Sequence, residues 1–214
     1  MFQEPLWLFQ RREAKIDRLA DLLALRVAIG GSGSGTEAVT GAILKANEIS
    51  TEPLPAGWQA RGGNAVANEL LAGQLDAAFF VGPAENPLIQ RLAASPELKL
   101  TGFRRAHAYE ARIPFLKRVE VSEGLLNLAQ NVPDQDLATL SPVATLVVNG
   151  DFHPALTPLI LEAARSVMKS GSLLDAAGAF PSAEPRTLAL QEDAGRYYNC
   201  LLYTSDAADD LLCV

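Results

Sequence analysis

The stretch Arg26 to Thr40, RVAIGGSGSGTEAVT, predicts a strand, a glycine-rich loop and a helix in direct succession. Arg26 to Ile29 has strand character, and Glu37 to Ala46 is typical of a helix. The loop between them carries several glycines, which allow positive φ angles and a close approach of the backbone to a ligand. These are Gly30, Gly31, Gly33 and Gly35.

A helix that begins at this loop directs its first N–H groups, and the positive end of its dipole, toward the loop. Ser34 and Thr36 are both suited to be the N-cap. A strand, a loop of glycine and hydroxyl residues, and a helix N-terminus are together typical of an anion-binding site. An ordinary turn between a strand and a helix is the alternative that composition leaves open.

Three better-defined loop motifs do not fit these residues. A P-loop needs lysine and then serine or threonine after its second glycine, but Thr36 and Glu37 follow Gly35. The dinucleotide-binding pattern needs its third glycine at position 36. A nucleophile elbow fails because Ser32 lacks the second flanking glycine and Ser34 lacks both. The loop therefore predicts a small ligand of one or two negative charges, such as a carboxylate.

Composition indicates a globular protein, with 49% hydrophobic and 20% charged residues among 214. A net charge of −7 and the lack of a basic cluster argue against nucleic acid as a partner. The sequence contains no run of 18 apolar residues, so no membrane span is predicted. Cys200 and Cys213 lie only in the last segment, and neither His107 nor His153 has a second histidine at metal-ligand spacing. We therefore expect no metal, no cofactor and no thiol chemistry.

The next eighty or so residues alternate between helix and strand patterns. A short strand is predicted at 58–61, followed by a helix over 65–72 with Asn64 as its N-cap. Asp76 to Val81 predicts a strand that is buried on both faces. The remaining elements in this part are a helix over 86–94 and a strand over 99–103. The alternation predicts a parallel α/β sheet.

In such a sheet, ligands bind beyond the carboxyl ends of the strands. Two loops, 30–36 and 81–83, fall at that edge and mark it as the candidate site. Beyond residue 103 the patterns are weaker; they predict helices at 106–112, 123–130, 153–168 and 191–198, and strands at 118–121 and 139–148. The helix over 153–168 carries one apolar stripe, formed by Leu156, Leu159, Ile160, Ala163 and Val167.

The glycine loop is one of several segments that together form a wider pattern. They are Glu4-Pro-Leu-Trp7, Arg26 to Gly30 with Gly33 to Thr36, Leu70 to Val81, Pro114-Phe115, Ala144 to Val148 and Tyr197-Tyr198. Together and in this order they resemble the TAXI-type solute-binding subunits of TRAP transporters. The resemblance implies a type II periplasmic binding protein-like α/β fold, in which two lobes are joined by two crossing strands. It also implies an extracytoplasmic small carboxylate, such as a dicarboxylate or glutamate, that passes to a membrane permease.

The same resemblance implies how the chain is divided. Residues 1–13 would be the first crossing, or hinge, strand, and residues 14–143 would be lobe two, the one complete α/β lobe. Residues 144–199 would be the returning part of a second lobe, lobe one. Family members begin with an export signal and most of lobe one, so we expect an incomplete chain without that signal. The full-length parent would be periplasmic or membrane-associated on the extracytoplasmic side.

The last segment, residues 200–214, reads CLLYTSDAADDLLCV and differs abruptly from what precedes it. It resembles the conceptual translation of a transposase-type sequencing adapter. We therefore expect it to be a non-native tail that packs poorly and forms no disulfide.

The resemblance also implies which residues face the ligand. These are Ser32, Gly33, Ser34, Gly35 and Thr36 in the loop, Phe80, Val81 and Gly82 at the neighbouring strand end, and Trp7 near the hinge. A solute-binding protein is favoured over an enzyme, because the glycine-rich site has neither a histidine nor a spare lysine beside it. The main alternative is a ligand-sensing effector module of a transcriptional regulator, since the same fold serves there.

Overall fold

The computed structural model describes residues 3–183 and 188–204, with side chains as far as Asn199. The chain forms two compact units, Gln3–Val143 and the residues from Ala144 onward. The predicted division into a hinge strand (1–13), lobe two (14–143) and the returning part of lobe one (144–199) stays a prediction. The non-native tail predicted over 200–214 also stays a prediction: residues 200–204 form the end of a helix, and residues 205–214 lie outside the described residues.

The first unit is built on a five-stranded mixed sheet. Its strands are β1 (Leu6–Arg11), β2 (Val27–Ala28), β3 (Trp58–Gln59), β4 (Ala77–Val81) and β5 (Leu98–Thr101). Their order in the sheet is β3-β2-β4-β1-β5. β2 is parallel to β3 and β4, as the sequence predicts, whereas β1 lies antiparallel between β4 and β5.

The helices of this unit follow the predicted alternation. They are α1 (Gly35–Ala46), α2 (Gly63–Leu71), α3 (Pro87–Ala93) and α4 (Ala106–Arg112), and a 3-10 helix covers Leu19–Ala24. The prediction of Asn64 as the N-cap of α2 is wrong, because the helix begins two residues earlier than predicted and Gly62 is its N-cap. Gly63 has φ +71°, a left-handed backbone conformation that favours glycine at this entry to the helix.

An antiparallel hairpin completes the first unit. Its strands are β6 (Leu116–Val121) and β7 (Leu137–Pro142). The helix predicted over 123–130 is wrong: Leu126 and Asn127 both donate to the carbonyl of Val132, which folds this segment back on itself. Positive φ angles at Gly124 and Asn131 favour such turns over a helix.

The core of the unit lies between the sheet and its covering helices. Strands β1, β2 and β4 are buried along almost their whole length, as expected for strands covered on both faces. The largest fully buried side chains include Trp7, Phe9 and Phe79. The carboxyl ends of β2 and β4 are therefore held by a packed interior, which gives the candidate site a rigid base.

The second unit contains α5 (Leu156–Met168) and α6 (Glu192–Thr204). The apolar stripe predicted on α5 is largely exposed, with Leu159 at 65% and Val167 at 82%, and the buried positions are Thr157 and Leu161. Helical spacing identifies an apolar face but does not show that a partner covers it, which explains the difference. Within the described residues, none of the helices is long and apolar enough to cross a bilayer.

Candidate functional site

The glycine loop leaves β2 and enters α1 through two positive φ angles. Gly30 has φ +106° and Gly33 has φ +74°. A Cβ on Gly30 would lie 2.5 Å from the backbone nitrogen of Glu37, so only glycine permits this approach of the loop to the helix. Gly31 and Gly35 do not use the positive φ that the sequence allows them.

The N-terminus of α1 is capped from both sides of the loop. Ser34 is the N-cap, one of the two predicted candidates, and its Oγ accepts from the Glu37 N–H at 3.2 Å. The Glu37 carboxylate in turn accepts from the Gly33 N–H at 2.7 Å. The arrangement is close to a capping box. In a capping box the glutamate accepts from the N–H of the N-cap residue, but here the Ser34 N–H donates to the Gly31 carbonyl. Glu37 therefore accepts from the N–H of the residue before, Gly33.

Glu37 is the functional feature that the sequence reasoning missed. Its carboxylate lies at the positive end of the α1 dipole, where an anion is stabilised. The signal was present in the spacing Ser34-x-x-Glu37, which is typical of a helix N-terminus. The loop thus holds a carboxylate that belongs to the chain itself.

The structure brings the loop and the end of β4 together, as predicted. Thr36 Oγ1 accepts a hydrogen bond from the Val81 N–H at 3.2 Å. Since a hydroxyl oxygen can accept while its own hydrogen donates, this bond leaves the Thr36 O–H able to donate elsewhere. The same reasoning applies to Ser34, whose oxygen accepts from Glu37.

Three other predicted site residues lie inside the unit. Trp7 is fully buried, and its indole N–H donates to the Gly82 carbonyl at 2.8 Å. Phe80 is 5% exposed and packs edge-on against Phe9, with ring centroids 6.3 Å apart. The predicted residues thus differ in accessibility: Ser32, Gly33 and Gly35 are exposed, Ser34, Thr36 and Val81 are half-buried, and Trp7, Phe80 and Gly82 are buried.

A second glycine loop lies against the first. A Cβ on Gly62 would be 3.0 Å from the Gly31 nitrogen, so the two backbones are in close contact. Gly62 is the N-cap of α2. In the described part of the chain, this helix has neither a side-chain hydrogen bond at its N-cap nor an acid in its first turn. The edge of the sheet therefore carries two neighbouring helix N-termini, of which that of α1 is capped by side chains.

Two ion pairs lie near the strands and helices of the sheet. Arg61 pairs with Glu69 of α2 at 2.7 Å. At the amino end of β4, Arg26 forms a two-pronged ion pair with Asp76, and the hydrogen bond from its guanidinium lowers the pKa of the Asp76 carboxyl. Among the described residues, no group of three or more His, Cys, Asp or Glu side chains is placed to hold a metal ion.

A mixed α/β unit whose glycine loops meet at the carboxyl ends of parallel strands is an architecture suited to binding small ligands. The chain belongs to the NMT1-like family, a periplasmic binding protein-like family whose model matches residues 1–199. Membership in this family supports a binding role.

Comparisons with individual proteins add little to the family match. No curated protein matches the chain significantly. A solved structure to which it is similar is an ancestral arginine-binding protein bound to glutamine, with 17% sequence identity and a TM-score of 0.32. The similarity covers 48% of this chain and 41% of that protein, so this chain spans less than half of its length. At this level the similarity does not indicate what the present chain binds.

Proposed function

We propose that the chain is a solute-binding subunit of a TRAP-type transporter, of the TAXI group, and that it binds a small carboxylate outside the cytoplasm. Dicarboxylates and glutamate are the expected solutes, and a membrane permease is the expected partner. Three observations support the proposal: the family match over residues 1–199, the segments that resemble TAXI-type subunits, and the geometry of the glycine loop. In this role the protein would bind and release its solute chemically unchanged.

The single observation that supports a carboxylate most directly is the bond between Glu37 and Gly33. A carboxylate oxygen lies 2.7 Å from a backbone N–H at the start of α1, where the helix dipole favours negative charge. This contact gives the geometry that a solute carboxylate would adopt at the same loop. It also means that Glu37 competes with the solute for the Gly33 N–H.

The two hydroxyls of the loop add a preference for hydrogen-bond acceptors. Ser34 Oγ and Thr36 Oγ1 each accept a backbone N–H, and this leaves their O–H groups able to donate to a solute. A solute rich in acceptors, such as a carboxylate, matches two such donors.

Calorimetric titration of the protein from its full reading frame, with succinate, malate and L-glutamate, tests the proposal. Binding of at least one carboxylate, and none of its neutral amide, is the expected result. Thr36→Val should weaken binding at least about tenfold, because a hydrogen bond to a charged group contributes roughly 1.5–3 kcal/mol. Thr36→Ser, which keeps the hydroxyl, should restore most of the affinity.

Two outcomes would contradict the proposal. No heat with any of these carboxylates would remove the solute class. Equal binding of the carboxylate and its amide would show that negative charge is not what the loop recognises. A permease gene beside the reading frame would support the transporter assignment independently of the ligand.

A further inference from the structure

Trp7 lies in β1, the antiparallel strand in the interior of the sheet, and reaches past the end of β4. In the strand register Trp7 is opposite Phe80, yet its indole N–H donates to the carbonyl of Gly82, two residues further along. The side chain is fully buried. The contact therefore joins the middle of the sheet to the turn that follows β4.

Gly82 is held through both of its backbone polar groups, one by Trp7 of β1 and the other by Pro5, the residue just before β1. Its carbonyl accepts from Trp7 at 2.8 Å, and its N–H donates to the Pro5 carbonyl at 3.3 Å. Because each peptide unit is planar, these two bonds fix the peptide planes on both sides of Gly82. The preceding residue, Val81, donates its own N–H to Thr36 Oγ1. A path of hydrogen bonds and backbone covalent bonds thus runs from Trp7 through Gly82 and Val81 to the glycine loop.

A purely structural role for Trp7 is the natural alternative, since a buried indole N–H usually finds a partner. The chain offers its own comparison in Trp58, which is also buried and donates to the Leu22 carbonyl at 3.1 Å. Trp58 is bonded to no candidate site residue among the described ones. The two tryptophans therefore have the same local chemistry but differ in what their partners touch.

We propose that Trp7 is a positioning residue for the candidate site and does not itself contact the solute. Its indole N–H holds the Gly82 carbonyl, which keeps the Val81 N–H directed at Thr36 Oγ1. That bond in turn orients the Thr36 hydroxyl so that its O–H is presented at the loop. The part of this chain of contacts that involves the solute rests on the function proposed above.

The test compares Trp7→Phe with Trp58→Phe, each of which removes one indole N–H and keeps an aromatic ring. In solute-free protein, Trp7→Phe should raise amide hydrogen exchange at Val81 and Gly82 at least tenfold, and Trp58→Phe should leave it within twofold. Exchange at Val81 within twofold of wild type in Trp7→Phe would overturn the proposal. An equal rise in both variants would also overturn it, since it would reflect general loosening.

Affinity provides the readout that a purely structural residue would not affect. Trp7→Phe should weaken carboxylate binding about tenfold, and it should add little further loss to Thr36→Val, because both changes break the same path. Fully additive losses would overturn the link between the two residues. If wild type binds no carboxylate, the proposed function fails, while amide exchange still decides whether Trp7 positions Val81.

A further measurement does not depend on whether Trp7→Phe folds. The chain has two tryptophans, so Trp58→Phe leaves Trp7 as the only indole. Its Nε1–H signal in NMR should exchange slowly with solvent, in keeping with a buried bond to Gly82, and should keep its position when solute is added. Fast exchange, or a large shift caused by direct solute contact, would overturn the positioning role.

Discussion

The Glu37 carboxylate and the Gly33 backbone N–H form a 2.7 Å hydrogen bond across the start of α1. Ser34 completes the cap by accepting from the Glu37 N–H. Glu37 consequently has two effects that oppose each other in function. It stabilises the helix as an anion near its N-terminus, and it occupies a donor that a solute carboxylate could use.

Glu37→Gln separates these two effects. Loss of the charge should lower the free energy of unfolding by about 0.5–1 kcal/mol, the usual contribution of an anion at an exposed helix N-terminus. The same change should raise carboxylate affinity severalfold, because a charged competitor becomes a weaker neutral one. Urea unfolding and calorimetric titration of the same preparation measure both quantities.

Glu110→Gln is the matched control for charge. Glu110 lies on α4, and its ion-pair contact is with Lys117 at 3.8 Å. It should change neither quantity by more than about 0.5 kcal/mol, as is usual for exposed pairs. An affinity that falls in Glu37→Gln would mean that Glu37 helps to bind the solute, contrary to the competition described here.

Ser34 and Ser32 form a pair that tests the cap. Ser34→Ala should lower the free energy of unfolding by about 1 kcal/mol, the typical cost of losing an N-cap side chain. Ser32 is exposed and is not the N-cap of α1, so Ser32→Ala should have almost no effect on stability. Equal losses in the two variants, measured by urea unfolding, would show that the cap is not the source of stability at this loop.

Much of the geometry of the glycine loop was predictable because its signals are local. Glycines, hydroxyls and the start of a helix lie within a few residues of each other, and Ser34 is an N-cap by its chemistry alone. The alternation of elements likewise predicted the parallel pairing of β2 with β3 and β4. Local chemistry and periodicity were sufficient for these features.

The features that the sequence did not reveal depend on distant contacts. Nothing in Leu6–Arg11 indicates that this strand lies between β4 and β5, because an apolar run does not specify which strands it will pair with. The bonds from Trp7 to Gly82 and from Thr36 to Val81 join residues that are 75 and 45 positions apart. The helix predicted over 123–130 failed because turn geometry at Gly124 and Asn131 outweighed a weak helical pattern.

The Arg26–Asp76 pair gives the unit a predictable dependence on pH. The hydrogen bond from Arg26 lowers the pKa of Asp76 below its ordinary value of 3.8. Because the folded pKa is the lower one, the contribution to stability is complete above that ordinary value. It is lost as the pH falls through the folded pKa.

Asp76→Asn should therefore lower the free energy of unfolding by about 1 kcal/mol at neutral pH, a modest figure because Arg26 is half exposed. The difference from wild type should shrink as the pH falls below 3.8. Asp134→Asn is the control, since its pair with Lys99 is exposed and 3.6 Å long. A difference between wild type and Asp76→Asn that stays constant down to the lowest pH would contradict the linkage.

Gly30 and Gly35 stand at the two ends of the loop and should respond to alanine in opposite ways. At Gly30 the added Cβ would meet the Glu37 nitrogen at 2.5 Å, on a residue with φ +106°. Strain and overpacking should together lower the free energy of unfolding by about 3 kcal/mol. At Gly35 no atom lies within 4 Å of the added Cβ, so stability should be unchanged or raised by about 0.5 kcal/mol.

Gly35→Ala is consequently a probe of binding that leaves the fold intact. Gly35 is exposed and lies in the chain between the hydroxyls of Ser34 and Thr36, where the solute carboxylate is proposed to bind. A methyl group there should obstruct the approach of the solute and lower affinity about tenfold, a change of ~1.4 kcal/mol. Calorimetry on Gly35→Ala, with urea unfolding as the check on folding, measures this. Unchanged affinity in a protein of unchanged stability would place the solute away from the first turn of α1, and the carboxylate site would then have to be sought at the neighbouring start of α2.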